Sequence, residues 1–222
     1  MVRSTPTITT AVYFMIAICI SYVINRLVVE YYKLYSSSKQ KHHYIGDIFA
    51  LIIVSMFIYN VPSFVFDPSM GQGIAWTTMV LATPLLYNVL LTMKGCNSNL
   101  SMSWGDIPIK SRCLYIVSLI SSAVLIMYKL IQSRRTCNLH TSLLTIAIIG
   151  VFLLFACLGK WSLTDNDEVK FHIHHWFIGF AMACVLSVCN YGTFNYVFHG
   201  FFLGVMIHGA STFSMSVDQF FR

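Results

Sequence analysis

Hydrophobic residues in this chain fall in long unbroken runs, not at every second or every third-to-fourth position. Alternating patterns mark strands or helices with one wet face, whereas continuous runs mark segments that are apolar all round. About 20 such residues are needed for a helix to cross the ~30 Å hydrocarbon core of a bilayer. On that scale the pattern predicts spans at Ile8–Val29, Asp47–Phe66, Ile74–Met93, Cys113–Ile131, Ser142–Gly159, His175–Cys189 and Thr193–Phe213. The expected fold is an all-α integral membrane protein, a single polytopic domain over residues 1–222 with about seven transmembrane helices and short loops. The sixth run is short, and only Asn190-Tyr191-Gly192 separates it from the seventh. The pair reads as a helical hairpin or as a hairpin with one re-entrant member, which leaves six or eight spans as alternatives.

Composition strengthens the class. Hydrophobic residues make up 57% of the chain and charged residues only 10%, against roughly 25% charged in soluble domains. A soluble fold of this size could not cover its surface with so few charges. The first run lies close to the start and lacks both a basic leader and a small-residue cleavage site, so it reads as a retained anchor. Pro62, Pro68 and Pro84 fall in or near spans, where neighbouring helices can satisfy the backbone groups that proline frees.

Charge then gives an orientation. Under the seven-span reading Arg26, Lys33, Lys39, Lys41, Lys94, Lys110, Arg112, Lys160 and Lys170 lie on one side, and Arg3, Lys129, Arg134 and Arg135 on the other. Basic loops favour the cytoplasmic face, so the N-terminus is expected outside and the C-terminus in the cytosol. The Arg134-Arg135 pair and the Asn99-Leu100-Ser101 sequon point the other way. The net charge of +6 is dispersed; without a basic helix or stacking module it gives no basis for nucleic-acid binding. The bilayer is the expected partner, together with other membrane subunits. Seven scattered cysteines without a CxxC read as free, buried thiols.

Candidate chemistry sits where two runs begin. Lys41-His42-His43-Tyr44-Ile45-Gly46 opens one, and His174-His175-Trp176-Phe177-Ile178-Gly179 opens another. Four intervening helices would put both openings, and the end of the last span, on one membrane face. His42, His43, His172, His174, His175 and His208 would then gather there with Asp47, Asp165, Asp167 and Glu168. If the sixth helix starts early, Glu168, His172 and His175 fall at i, i+4 and i+7 on one face. Neutral imidazoles with one carboxylate suit zinc, iron or copper, and an open coordination position can activate water. The candidate metal ligands are His172 and His175, completed by His43 or His208, with His174 as an orienting neighbour. Glu168 is the candidate ligand or general base.

Against this stands a plainer reading. Imidazole, indole and phenol rings suit the membrane interface, and Asp165-Asn166-Asp167-Glu168 suits a solvated helix start. His199 and His208 lie inside the last run, each followed by glycine and nine residues apart, so they cannot share one metal. For His199 the expectation is a neutral ring hydrogen-bonding between helices while the glycine allows close packing. The HxxxH and HxxHH boxes of membrane di-iron enzymes, nucleophile elbows and phosphate-binding loops are absent. Three functions follow as expectations. One is a metal-dependent membrane-embedded enzyme acting on a lipid or apolar substrate. The others are a non-catalytic subunit of a membrane complex and a small transporter or channel.

Overall fold

The computed structural model describes residues 8–34, 41–60, 66, 68–92, 109–136, 143, 147, 150, 175–188 and 192–213. The described residues are all-helical, in the order α1 (Ile8–Tyr31), α2 (Lys41–Tyr59), α3 (Met70–Thr92), α4 (Ile109–Thr136), α5 (His175–Ser187) and α6 (Thr193–Phe213). The expected Ser142–Gly159 span lies almost wholly outside them. Two helices, Ile8–Tyr31 and Met70–Leu90, are long and apolar enough to cross a membrane.

Hydropathy located the helices but misplaced their ends. Helix α2 begins six residues before the expected Asp47, because polar Lys41-His42-His43 can join a helix although they do not belong in lipid. It stops at Tyr59, not Phe66. There Asn60 closes the last turn through both its backbone and its side-chain nitrogen on Met56 O, at 3.0 and 2.7 Å. Pro62 follows two residues on, and proline disfavours helical geometry in the residue before it. Helix α4 continues through Ser133-Arg134-Arg135-Thr136, past the point where the apolar run ends. Helix α1 closes on Lys33 at φ 50°, with Leu34 N donating to Val29 O at 2.9 Å. That six-to-one bond is the usual way to satisfy a last-turn carbonyl.

Helices α1, α3 and α6 run in one direction, as the pairs Phe14–His199, Asn25–Ser211 and Trp76–His199 show. Helix α2 runs against α1, pairing Thr10 with Tyr59 and Tyr22 with Asp47. Helix α5 runs against α6, from Trp176 beside Gly209 to Ser187 beside His199. These two form the hairpin expected as one alternative, and its turn ends at Gly192 with φ +90°.

The α5–α6 hairpin is the interior. Every side chain from Ala181 to Val188, and again from Phe202 to Thr212, is buried. Small residues explain how helices come so close. A Cβ on Gly200 would stand 2.7 Å from Trp76 O, and one on Gly204 would stand 2.5 Å from the Thr83 Cβ. On the other side of α6, Gly209 meets the Trp176 backbone and Gly179 meets the backbone of Phe202 and Met206.

Helix α1 is apolar over most of its surface, so overall hydropathy does not say which side faces inward. Its buried stripe is Phe14, Ala17, Ile18, Ser21, Tyr22, Asn25, Arg26 and Val29, whereas Val12, Ile16, Ile20, Ile24 and Leu27 are exposed. Polar residues therefore mark the inner face. Pro84 lies inside α3 and has no N–H to give the carbonyl one turn back. That carbonyl, Val80 O, instead accepts from Ser21 Oγ at 2.7 Å.

Two outcomes follow, both read as unfolding midpoints in detergent. Gly204→Leu is expected to cost at least about 1–3 kcal/mol through overpacking. Ser21→Ala is expected to cost about 1 kcal/mol. In a Pro84→Ala background most of that cost should vanish, because the restored N–H can pair with Val80 O.

Candidate functional site

Polar side chains within the bundle collect at two levels along α6. The first surrounds His199, which is fully buried. Trp76 Nε1 of α3 donates to His199 Nδ1 at 3.0 Å, and His199 Nε2 lies 3.0 Å from Ser187 Oγ of α5. An indole N–H can only donate, so Nδ1 accepts and the ring proton stands on Nε2. Nε2–H then donates to Ser187, whose hydroxyl donates to Ala183 O at 2.8 Å. The imidazole is neutral and ties three helices in one directional chain. Phe14 and Trp76 wall it, with ring centroids 6.0 and 6.4 Å away. This is the interhelical role expected for His199.

Close by, α4 joins through a triangle of side chains. Lys129 Nζ donates to Gln132 Oε1 at 3.3 Å and to Asn195 Oδ1 at 3.4 Å, and Asn195 Nδ2 donates to Gln132 Oε1 at 3.2 Å. Lys129 is 1% exposed; its Nζ exchanges water for two amide oxygens.

The second level lies at the opposite end of α6, where α1 and α3 finish and α2 and α5 start. Asn88 Nδ2 of α3 donates to Asn25 Oδ1 of α1 at 2.7 Å. Asn25 Nδ2 donates to Ser211 Oγ of α6, and Ser211 Oγ to His208 O at 3.0 Å. Beside this ladder Arg26 spreads its guanidinium over three partners. Nη1 reaches Ser211 O at 3.1 Å, Nη2 reaches Tyr44 Oη at 3.0 Å, and Nε reaches Glu30 Oε1 at 3.0 Å. Tyr44 in turn donates to Glu30 at 2.6 Å. One turn earlier on α1, Tyr22 donates to the buried Asp47 carboxylate of α2 at 2.9 Å. Burying an arginine and a carboxylate is costly unless each is paired and hydrogen-bonded, as both are here. Comparison with protein-family models, curated proteins and solved structures finds no match.

The predicted site residues divide into three groups. His208 is buried at this second level, its ring 5.1 Å from that of Tyr87. His43 and His175 lie in the first turns of α2 and α5, at the same end, with side chains outside the described residues. Because Gly209 touches the Trp176 backbone, the neighbouring positions His175 and His208 share one close helix crossing. His172, His174 and Glu168 lie outside the described residues. Among the described residues no group of three or more His, Cys, Asp or Glu side chains is arranged to hold a metal ion. Between the two levels Leu203, Met206 and Ile207 are fully buried.

Sequence reasoning missed Arg26 and Lys129, which it had counted as loop charges. Both are buried between helices. One came from each side of the orientation count, so the bias itself is unchanged. Both fall within expected spans, and an ionisable residue within a span demands an explanation. The partners Asn25, Asn88, Asn195 and Ser187 carry no such signal.

Trp76→Phe should lower stability by about 1–3 kcal/mol, because it strands the His199 Nδ1 acceptor. Ser187→Ala strands only Nε2–H and should cost about 1 kcal/mol. Nitrogen NMR of His199 in the parent protein is expected to report the Nε2–H tautomer; the opposite tautomer would refute the assigned chain.

Proposed function

We propose that the chain is a seven-span integral membrane protein with a metal-dependent centre at the end of the bundle where α2 and α5 begin and α6 ends, acting on a lipid or apolar substrate. The observation that carries this reading is the convergence of those three ends. It brings His43, His175 and His208 to the level of Asp47 and Arg26.

Seven spans draw support from direction and from surface. Helix α4 meets the start of α6 through Gln132 and Asn195, whereas α5 begins beside Gly209. Fourteen residues of α6 separate those levels, about 21 Å at 1.5 Å per residue. A span at Ser142–Gly159 would cover that distance. Outward faces carry Ile16, Ile20, Phe49, Ile53, Val89, Ile116, Val117 and Ile120, while Asn25, Asp47, Asn88 and Lys129 lie inside. Lipid is the solvent that favours this inversion. The loop charges supply the orientation, with the N-terminus outside and the C-terminus in the cytosol.

In this reading His172 and His175 are the primary ligands of zinc, iron or copper, and His43 or His208 completes the set. His174 orients a ligand, and Glu168 serves as ligand or general base. The metal would supply Lewis acidity and an activated water. A second reading, a non-catalytic membrane subunit, is favoured by one observation: both ring nitrogens of His199 and all three arms of Arg26 are engaged within the bundle.

Elemental mass spectrometry on detergent-purified, never-chelated protein separates the two. Near-stoichiometric zinc, iron or copper, lost in a folded His172→Ala/His175→Ala variant, is the expected result. Folded parent protein free of metal would leave the subunit reading in its place.

A further inference from the structure

We propose that the part of α3 beyond Pro84 is a hinged arm that swings away from α1 and admits an apolar substrate sideways, from the bilayer, to His208; this gate rests on the metal-centre reading above. Pro84 is the hinge, and the bond from Asn88 to Asn25 is the latch. Residues 85–92 are the arm, roughly two turns of helix.

The two parts of α3 are held in different ways. Before Pro84 the helix is pressed onto α6, with Gly200 against the Trp76 backbone and Gly204 against the Thr83 side chain. Trp76, Val80 and Thr83 are buried there. The next glycine of α6, Gly209, meets Trp176 of α5 instead. Beyond Pro84, side chains reach side chains: the Tyr87 ring lies 5.1 Å from that of His208, and Asn88 Nδ2 donates to Asn25 Oδ1 at 2.7 Å. Among the described side chains of the arm Asn88 is the buried one, whereas Leu86, Val89 and Leu90 are exposed. Segments with few buried apolar contacts open most readily.

Bending is cheap at this place. A helix bends at proline because the ring has no N–H and crowds the carbonyl one turn back. That carbonyl, Val80 O, is held by Ser21 Oγ of α1 at 2.7 Å. The first part of α3 therefore stays tied to α1 while the arm moves. The latch is also weak. Asn88 is 2% exposed and spends Nδ2 on Asn25, but its buried Oδ1 has no hydrogen-bond partner among the described residues. A buried acceptor in that condition costs free energy, which offsets the bond that the latch gains.

Lifting the arm uncovers the end of the bundle that carries the histidines. Tyr87 stands against the fully buried His208, and Asn88 against Asn25. Ile24 and Val89, each one residue from a member of the latch, are exposed and apolar. In a bilayer such positions meet acyl chains, so a substrate dissolved in lipid arrives at the seam that the latch closes.

The test uses the full chain in nanodiscs, with trifluoromethylphenylalanine placed at Leu90 on the arm or at Ile74 before the hinge. Fluorine NMR of the otherwise unaltered chain is expected to show two exchanging signals at Leu90 and one at Ile74. Asn88→Ala should raise the open population by about tenfold, the weight of one hydrogen bond. Pro84→Ala restores the N–H to Val80 O and should leave the closed signal alone. Metal loss reads the route: phenanthroline, an apolar chelator, should strip Asn88→Ala about tenfold faster than the parent and Pro84→Ala about tenfold slower. EDTA, which stays in water, should strip all three at one rate. If Asn88→Ala does not fold, Pro84→Ala against the parent decides. A single Leu90 signal in the parent, equal exchange at Ile74, or phenanthroline rates that ignore Pro84→Ala overturns the gate. Metal content keeps the two readings apart. Folded parent protein free of metal overturns the centre and the gate with it, whereas metal-loaded protein with a rigid arm overturns the gate alone.

Discussion

Backbone meets backbone, with only hydrogen between, on two sides of α6. Gly200 and Gly204 admit α3 on one face, and Gly209 admits α5 on the other, with Gly179 of α5 returning the contact. Such close approach gives van der Waals packing and hydrogen bonds between helices their full strength. Small residues supply the first, and the short distances they allow make the second possible. Trp76 and Ser187 reach His199 from opposite sides because α3 and α5 approach so closely. At larger separation each of those polar groups would be stranded in an apolar interior.

The same constraint explains where polarity is tolerated. Backbone and side-chain groups removed from water must find partners within the bundle. Val80 O, left without its own N–H by Pro84, finds Ser21. Asn25 and Asn88 find each other and Ser211. Arg26 finds a main-chain carbonyl, a phenol and a carboxylate. All of these bonds except Arg26–Glu30, which lies within α1, join different helices, so the polar residues specify which helix faces which. The apolar residues, nearly equivalent on every side, cannot do so. At one end of the bundle Asp47, Arg26 and His208 lie at the level of the first turns of α2 and α5.

Much of this was legible in the residues. The long apolar runs gave the helical class and the rough position of every described helix. The Asn190-Tyr191-Gly192 break gave a hairpin, and the histidine followed by glycine gave an interhelical role for His199. Helix ends were less legible. Hydropathy reports where lipid would be welcome, whereas a helix stops where a cap or a proline stops it, as at Asn60 and Pro62. Arg26 and Lys129 were misread for a related reason: a charge near the end of a run looks like a loop charge until a neighbouring helix is seen to cover it.

By itself, then, the sequence determined the number and kind of helices that the described residues form, because these follow from local propensity and from the solvent a run can bear. Pairing was decided only in the tertiary structure. Which side of α1 turns inward, which helix receives the proton of Trp76, and which hydroxyl covers the carbonyl that Pro84 leaves open all depend on contacts between residues dozens of positions apart. No periodicity within a single helix encodes them, since each partner becomes meaningful only at the short distance that the glycines of α6 permit.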